Sequence, residues 1–435
     1  MTSRALSALA ALVLLGGCGW FGPPDVVLPG PRQDIRPEAA TSNVARPIAL
    51  PAAQVNASWP QRGGSPAHRI GNLALSPAPT LAFATGIGQG DTRGARITAD
   101  PVVANGVVYT LDASAIVSAV SATTGQLLWQ RDVSPYSDRP GEGSGGGLAL
   151  AGGRLYVTTG FGRLSALDAA TGGEAWVQDL NAPGGASPTV AGDLVFVVAR
   201  DARAWAIETS TGRVRYILRS ATTGPSFAGG AGVAVEGDTA VVPFSSGEIV
   251  GLYPEGGTRR WTTNIGGDRP GFAAALAASD IATDPVIVGD TVYLGNVSGR
   301  VVALGLSDGE RRWTATDGAT STPVVAGGAL FFVNDIGELV RLDAATGESV
   351  WRVPLPLFEE DRPRRQHTRW VHLGPILAGG RLIVASSDGT LRQFDPVNGN
   401  LVGAVPLPGG AASHPVVAGG VLYVVSSAGQ LLAYR

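Results

Sequence analysis

The sequence predicts an all-β fold, an eight-bladed β-propeller of four-stranded antiparallel blades whose last blade is closed by an N-terminal strand. Three observations predict it. The first is a repeat: an apolar run followed by Asp-x-x-Thr-Gly-x-x-x-Trp, written seven times with variation. Its cleanest copies run from Ala166 to Trp176 and from Arg341 to Trp351. The second is the period. The closing aromatics Trp129, Trp176, Tyr216, Trp261, Trp313 and Trp351 stand between 38 (Trp313 to Trp351) and 52 residues (Trp261 to Trp313) apart, near the ~40–50 of one propeller blade. The third is a mismatch of ends. The last copy stops at Tyr434-Arg435, where its fourth strand is due, while Pro79–Thr85 has strand character and nothing ahead of it to pair with. Phe83 lies 46 residues before Trp129, one blade away. The N-terminal strand therefore completes the C-terminal blade, which closes the ring.

At the start of the chain, Arg4 supplies a positive charge and Ala5 to Leu15 is a largely apolar run of 11 residues. That is too short to span a bilayer and suits the core of a secretory signal. The run leads into Leu15-Gly16-Gly17-Cys18, the one cysteine of the sequence. This resembles the bacterial lipoprotein signal, in which the thiol receives the lipid. The expected organisation is a signal peptide over 1–17, a membrane tether over 18–57 and a propeller over 58–435. Prolines 23, 24, 29, 31, 37, 47 and 51 interrupt regular structure in the tether, which reads as an extended linker. Gly19 rather than Asp follows Cys18. By resemblance to enteric lipoproteins, this implies the outer membrane, facing the periplasm.

Each blade opens on an apolar run, often led by an x-Pro pair: Asp100-Pro101, Ser187-Pro188, Asp284-Pro285, Thr322-Pro323 and His414-Pro415. Turns such as Asn105-Gly106, Gly152-Gly153 and Gly327-Gly328 join β-branched runs into hairpins. The Thr-Gly pair turns the chain into the outermost strand. Glycine takes the positive φ, and Asp or Thr caps the turn. The tryptophan is expected to pack between neighbouring blades. In the seventh copy Gly403 takes the tryptophan position. These roles are structural, so the recurring Asp is not a catalytic candidate.

Composition narrows the function classes. Net charge is −3, which gives no electrostatic case for nucleic acid. Charged residues are 15% of the chain, below the usual ~25%. All 32 basic residues are arginine. One cysteine allows no disulfide within the chain and no four-cysteine zinc site. The four histidines, His68, His367, His372 and His414, show no metal-ligand spacing.

The repeat resembles that of pyrroloquinoline-quinone-type propellers, which comprise quinoprotein dehydrogenases and the BamB family of the outer-membrane β-barrel assembly machinery. The lipoprotein signal, the length, the eight blades and the terminal strand exchange together resemble the BamB family. That resemblance implies a non-catalytic scaffold without a cofactor. Its implied partners are a POTRA-containing barrel-assembly protein, other lipoproteins of the machinery, unfolded outer-membrane proteins and, through the lipid, the membrane. It also implies a monomer within a hetero-complex. Two loops carry the implied docking. One is Pro225-Ser226-Phe227-Ala228-Gly229, where Phe227 can replace a family leucine and Ala228 replaces a family arginine. The other is Ser279-Asp280-Ile281-Ala282, in which Asp280 matches and Ala282 replaces a second family Asp. Phe227 packed under its loop and Asp280 capping a turn are the competing structural readings.

The segment Asp268 to Leu276 is an insertion before a strand, where binding surfaces are built. A second insertion, Phe358 to Trp370, places Glu359, Glu360 and Asp361 ahead of Arg362, Arg364, Arg365, Arg369 and Trp370. It reads either as a self-neutralising solvated loop or as a second interface, since arginine and tryptophan are enriched at hot spots. A ligand sensor using the central channel and a quinoprotein dehydrogenase are the alternative functions. The dehydrogenase needs a cation held by clustered oxygen ligands beside its quinone. The sequence offers no acidic cluster of that kind and no haem motif.

Overall fold

The computed structural model describes residues 43–136, 143, 145–221, 230–266 and 280–435. Among them are eight four-stranded antiparallel sheets set in a ring, the propeller expected from the repeat. Blades 1 to 7 open with innermost strands Val102–Ala104, Gly146–Ala151, Thr189–Ala191, Ala234–Glu236, Val286–Val288, Val324–Ala326 and His372–Ala378. Their outermost strands are Leu127–Asp132, Glu174–Asp179, Val214–Arg219, Arg259–Asn264, Arg311–Ala315, Ser349–Pro354 and Leu401–Pro406. Blade 8 takes Val416–Ala418, Val421–Ser426 and Gln430–Tyr434 from the C-terminus and Leu81–Gly86 from the N-terminal side. Leu81 pairs with Tyr434 and Thr85 with Leu431. Thr80 and Arg435 exchange backbone hydrogen bonds of 2.9 and 3.0 Å. No helix among the described residues is long and apolar enough to cross a membrane.

The core lies between blades. Each adjacent pair shares its own apolar cluster, and one cluster runs through blades 7, 8 and 1. Inner and middle strands are therefore buried on both faces, and their Val-, Leu- and Ala-rich composition follows from that.

The repeat is the clamp between neighbours. Asp168 Oδ1 accepts hydrogen bonds from the Ala170 and Thr171 amides and the Thr171 hydroxyl at 2.8–3.1 Å. This holds the turn in which Gly172 takes φ +72°. A Cβ on Gly172 would come 2.8 Å from the Trp129 ring of the preceding blade. The Trp129 indole N–H reaches the Ala169 carbonyl at 3.1 Å. The same bond recurs from Trp176 to Thr209, Trp261 to Leu306, Trp313 to Ala344 and Trp351 to Pro396. Tyr216 makes it through its hydroxyl to Pro254. The rule explains the exception at Gly403. Blade 8 has no Thr-Gly turn, because its outermost strand arrives from the other end of the chain, so blade 7 has no turn for a tryptophan to grip. Phe83 takes over on the far side, against Gly125 of blade 1.

The tether boundary expected at 57/58 does not hold. Residues 43–57, assigned above to the tether, already lie on the propeller. The Val44 and Arg46 amides bond to Val350 and Val397, and Ile48 packs against blade 6. The chain then circles the hub. Asn56 bonds to Val417 and Gly419 of blade 8. Trp59 exchanges bonds with Val103 of blade 1, and the Pro60 carbonyl takes Leu150 of blade 2. Gln61 takes the Val190 amide of blade 3. Pro66 and Ala67 take Val235 and Ile287 of blades 4 and 5, and the Leu73 amide reaches Leu377 of blade 7. After this full turn, Leu73 runs parallel to Gln54. Innermost strands are three to seven residues long and leave inward backbone groups unpaired. The lacing segment satisfies them.

Candidate functional site

The antiparallel order puts the Thr-Gly turns on one face of the ring and all connections between blades on the other. The connections over 220–233, 265–285 and 355–371 therefore begin and end on a single face. It is the candidate binding surface.

Pro225, Phe227 and Gly229 of the first expected docking loop lie outside the described residues, as does Asp268 to Leu276. Asp280 is described. It is buried, at 5% exposure, and does not stand out into solvent. Its carbonyl accepts the Val297 amide at 3.2 Å. It lines a cleft between blades 3 and 4 with Ile281, Phe244, Gly230, Gly185 and Arg200. Sequence reasoning missed Arg200, which sits in an ordinary-looking strand turn. Its Nε and Nη2 are buried without a hydrogen-bond partner. A guanidinium in that state favours an incoming carboxylate or carbonyl.

On the same face, the insertion over 358–370 forms a short two-armed protrusion. Phe358 and Arg369 form an antiparallel bridge, and the Glu359 amide bonds to the Thr368 carbonyl. The Arg369 guanidinium lies 5.4 Å from the Phe358 ring centre. A 3-10 turn, Pro363–Arg365, makes the tip. Arg362, Arg364, Arg365 and Arg369 are exposed, and Trp370 is half-buried. Among the described residues none of these arginines forms an ion pair with Glu359, Glu360 or Asp361.

The hub holds a second polar group. Arg62, on the lacing segment, bonds Asp100 of blade 1 at 2.9 Å and lies 3.7 Å from Asp284, which leads into blade 5 on the opposite side of the ring. Asp100 also accepts the His414 amide and faces the His414 ring at 3.0 Å. Burial works against its ionisation, but His414 and Arg62 outweigh that and hold its carboxyl well below the usual carboxylate range. Asp284 accepts the Gly232 amide at 2.6 Å. His68 contacts the Pro285 carbonyl at 2.9 Å, and burial lowers its pKa against the pull of Asp284. The x-Pro residues, read from sequence only as strand openings, are thus the hub's polar lining.

Such a hub is where a fold of this type could take a cation and quinone. A divalent cation needs several converging oxygens. Here the two carboxylates converge on the Arg62 guanidinium, and among the described residues no group of three or more His, Cys, Asp or Glu side chains could hold a metal ion. These residues do not fit a calcium–quinone pair.

The chain is 25% identical over 375 residues to the outer membrane protein assembly factor BamB of Yersinia pestis, covering 85% of this chain and 91% of that protein. Among solved structures it is similar to BamB from Moraxella catarrhalis, with TM-score 0.68 and 20% identity over 82% of this chain and all of that one. It is equally similar in fold to the quinohemoprotein alcohol dehydrogenase of Comamonas testosteroni, with TM-score 0.68 and 16% identity over 88% of this chain and 81% of that one. The family described as "Outer membrane protein assembly factor BamB" matches residues 113–353 and 359–435, well over half the sequence, and the chain belongs to that family.

Proposed function

We propose that this protein is a non-catalytic scaffold subunit of the outer-membrane β-barrel assembly machinery, lipid-anchored through Cys18 and facing the periplasm. Its long-loop face docks a POTRA domain of the barrel-inserting subunit and holds unfolded outer-membrane proteins near it. The observation that carries the reading is the near full-length match to assembly factors. It is supported by the cleft between blades 3 and 4, which Asp280 and Arg200 both line and where Nε and Nη2 of Arg200 have no hydrogen-bond partner. In this reading Arg200 supplies the cation that Ala228 no longer provides. Pro225, Phe227 and Gly229 belong to the same contact.

The experiment is capture of a POTRA-containing barrel protein by the detergent-solubilised chain. Phe227→Asp and Arg200→Glu are each expected to weaken capture by about tenfold or more, as for interface anchors. Capture equal to wild type in both variants overturns the docking assignment. Quinone-dependent dye reduction with added calcium tests the enzyme alternative, and the expected result is no turnover.

A further inference from the structure

We propose that the outer edge of blade 7, continued by that of blade 8, is a strand-addition site for an extended, uncharged polypeptide segment with alternating apolar side chains. The proposal rests on the scaffold reading and names a surface, away from the long-loop face, on which a client is held.

The outermost strands differ in composition. Those of blades 1 to 6 all carry charge, such as Arg131 and Asp132 or Arg259 and Arg260. Charges of this kind protect an open sheet edge from pairing. The strands Leu401–Pro406 and Leu81–Gly86 carry none. Proline occurs only at the last position of the first. Leu401 and Val402 are each 56% exposed, and Leu81 is 43% exposed. Gly403 stands where other blades carry an aromatic ring, so no large side chain flanks this strand at that position.

The occupant is argued from the neighbouring blade. On the outer strand of blade 6, whose Arg352 guanidinium is engaged by Asp317, the chain's own Asn43-Val44 is already seated. The Val44 amide bonds Val350 at 3.1 Å, and the Asn43 side chain bonds both the amide and the carbonyl of Arg352 at 2.9 and 2.8 Å. The rim thus accepts an extended segment at the blade just before the two unprotected ones. Among the described residues nothing pairs with the outer edge of Leu401–Pro406. A row of alternating amides and carbonyls is matched by another extended backbone, and apolar cross-strand neighbours select apolar side chains. A charged segment would lose hydration there and find no counter-charge.

The test titrates the full chain with an uncharged peptide of alternating valine and threonine, and with its proline-substituted counterpart, while amide hydrogen exchange is followed. The expected result is slowed exchange over 401–406 and 81–86 with the first peptide and none with the second. Val402 and Ala404 are exposed, so the variant Val402→Lys with Ala404→Lys keeps its thermal midpoint. It is expected to bind the peptide at least about threefold more weakly. Unchanged affinity in that variant, equal protection at the charged edges of blades 1 to 5, or protection arising from edge-to-edge pairing of two copies without peptide each overturns the proposal. Protection on the long-loop face alone sinks the edge assignment and leaves client holding intact. POTRA capture reports on docking independently of either.

Discussion

Arg62 sits at the centre of the ring with one carboxylate on each side, so the hub's charge balance turns on a residue of the lacing segment. A buried pair adds little net stability over an apolar alternative, but stranding one member is costly. Asp100→Asn leaves Arg62 with the more distant Asp284 as its counter-charge and is expected to cost roughly 3 kcal/mol at pH 7. Because folding favours ionised Asp100, the unfolded chain takes up the proton first as acid is added. The contribution of Asp100 is whole above about pH 4 and drains away as pH falls toward its folded value. The gap between wild type and Asp100→Asn therefore narrows from pH 7 to pH 3. Urea midpoints at the two pH values check it, and a constant gap would show that the ionised form is not what the hub stabilises. None of this is legible in the sequence, where Arg62 stands among linker-like residues and Asp100 opens a strand like any other.

At the scale of the element, each tryptophan belongs to two blades. It ends one sheet and is held by the turn of the next, so its loss loosens a boundary as well as a strand. Trp351 is 1% exposed, and its ring faces Gly399. Trp351→Ala is expected to cost about 3–5 kcal/mol, as for a large buried aromatic. Gly403→Trp places the same side chain where no turn receives it and is expected to gain nothing. Thermal unfolding of the two variants measures both, and stabilisation by Gly403→Trp would contradict the clamp. This level is the most legible one. Blade number, turn glycines and the exchanged strand all follow from a repeat in which side-chain period and turn chemistry agree. The loops are less so. The arginines of 362–369 and the carboxylates of 359–361 are adjacent in sequence yet form no ion pair with one another among the described residues, so proximity along the chain does not tell which charges meet. Asp280 matches a family pattern but is buried, because its position is set by the entry to blade 5.

In the whole molecule, two devices close the ring, and they act in different places. The pairing of Leu81–Gly86 with Gln430–Tyr434 joins the ends at the rim. The lacing segment joins seven innermost strands at the hub and buries Trp59, Leu73 and Leu75 there. Up to residue 57 its prolines make it read as tether, since a segment that pairs with a different blade every few residues has no period of its own. The two devices can be separated by truncation. A chain beginning at residue 43 keeps both and is expected to unfold like the full protein. A chain beginning at residue 77 keeps the rim strand and loses the lacing. That removes about 1.5–3 kcal/mol of burial for each large apolar side chain withdrawn, and it exposes inward backbone groups of seven blades. It is expected to unfold at a clearly lower temperature and less cooperatively, with innermost-strand amides exchanging first. Equal midpoints and equal exchange in the two truncated chains would mean that rim closure alone holds the ring, and that the hub segment is only packed against it.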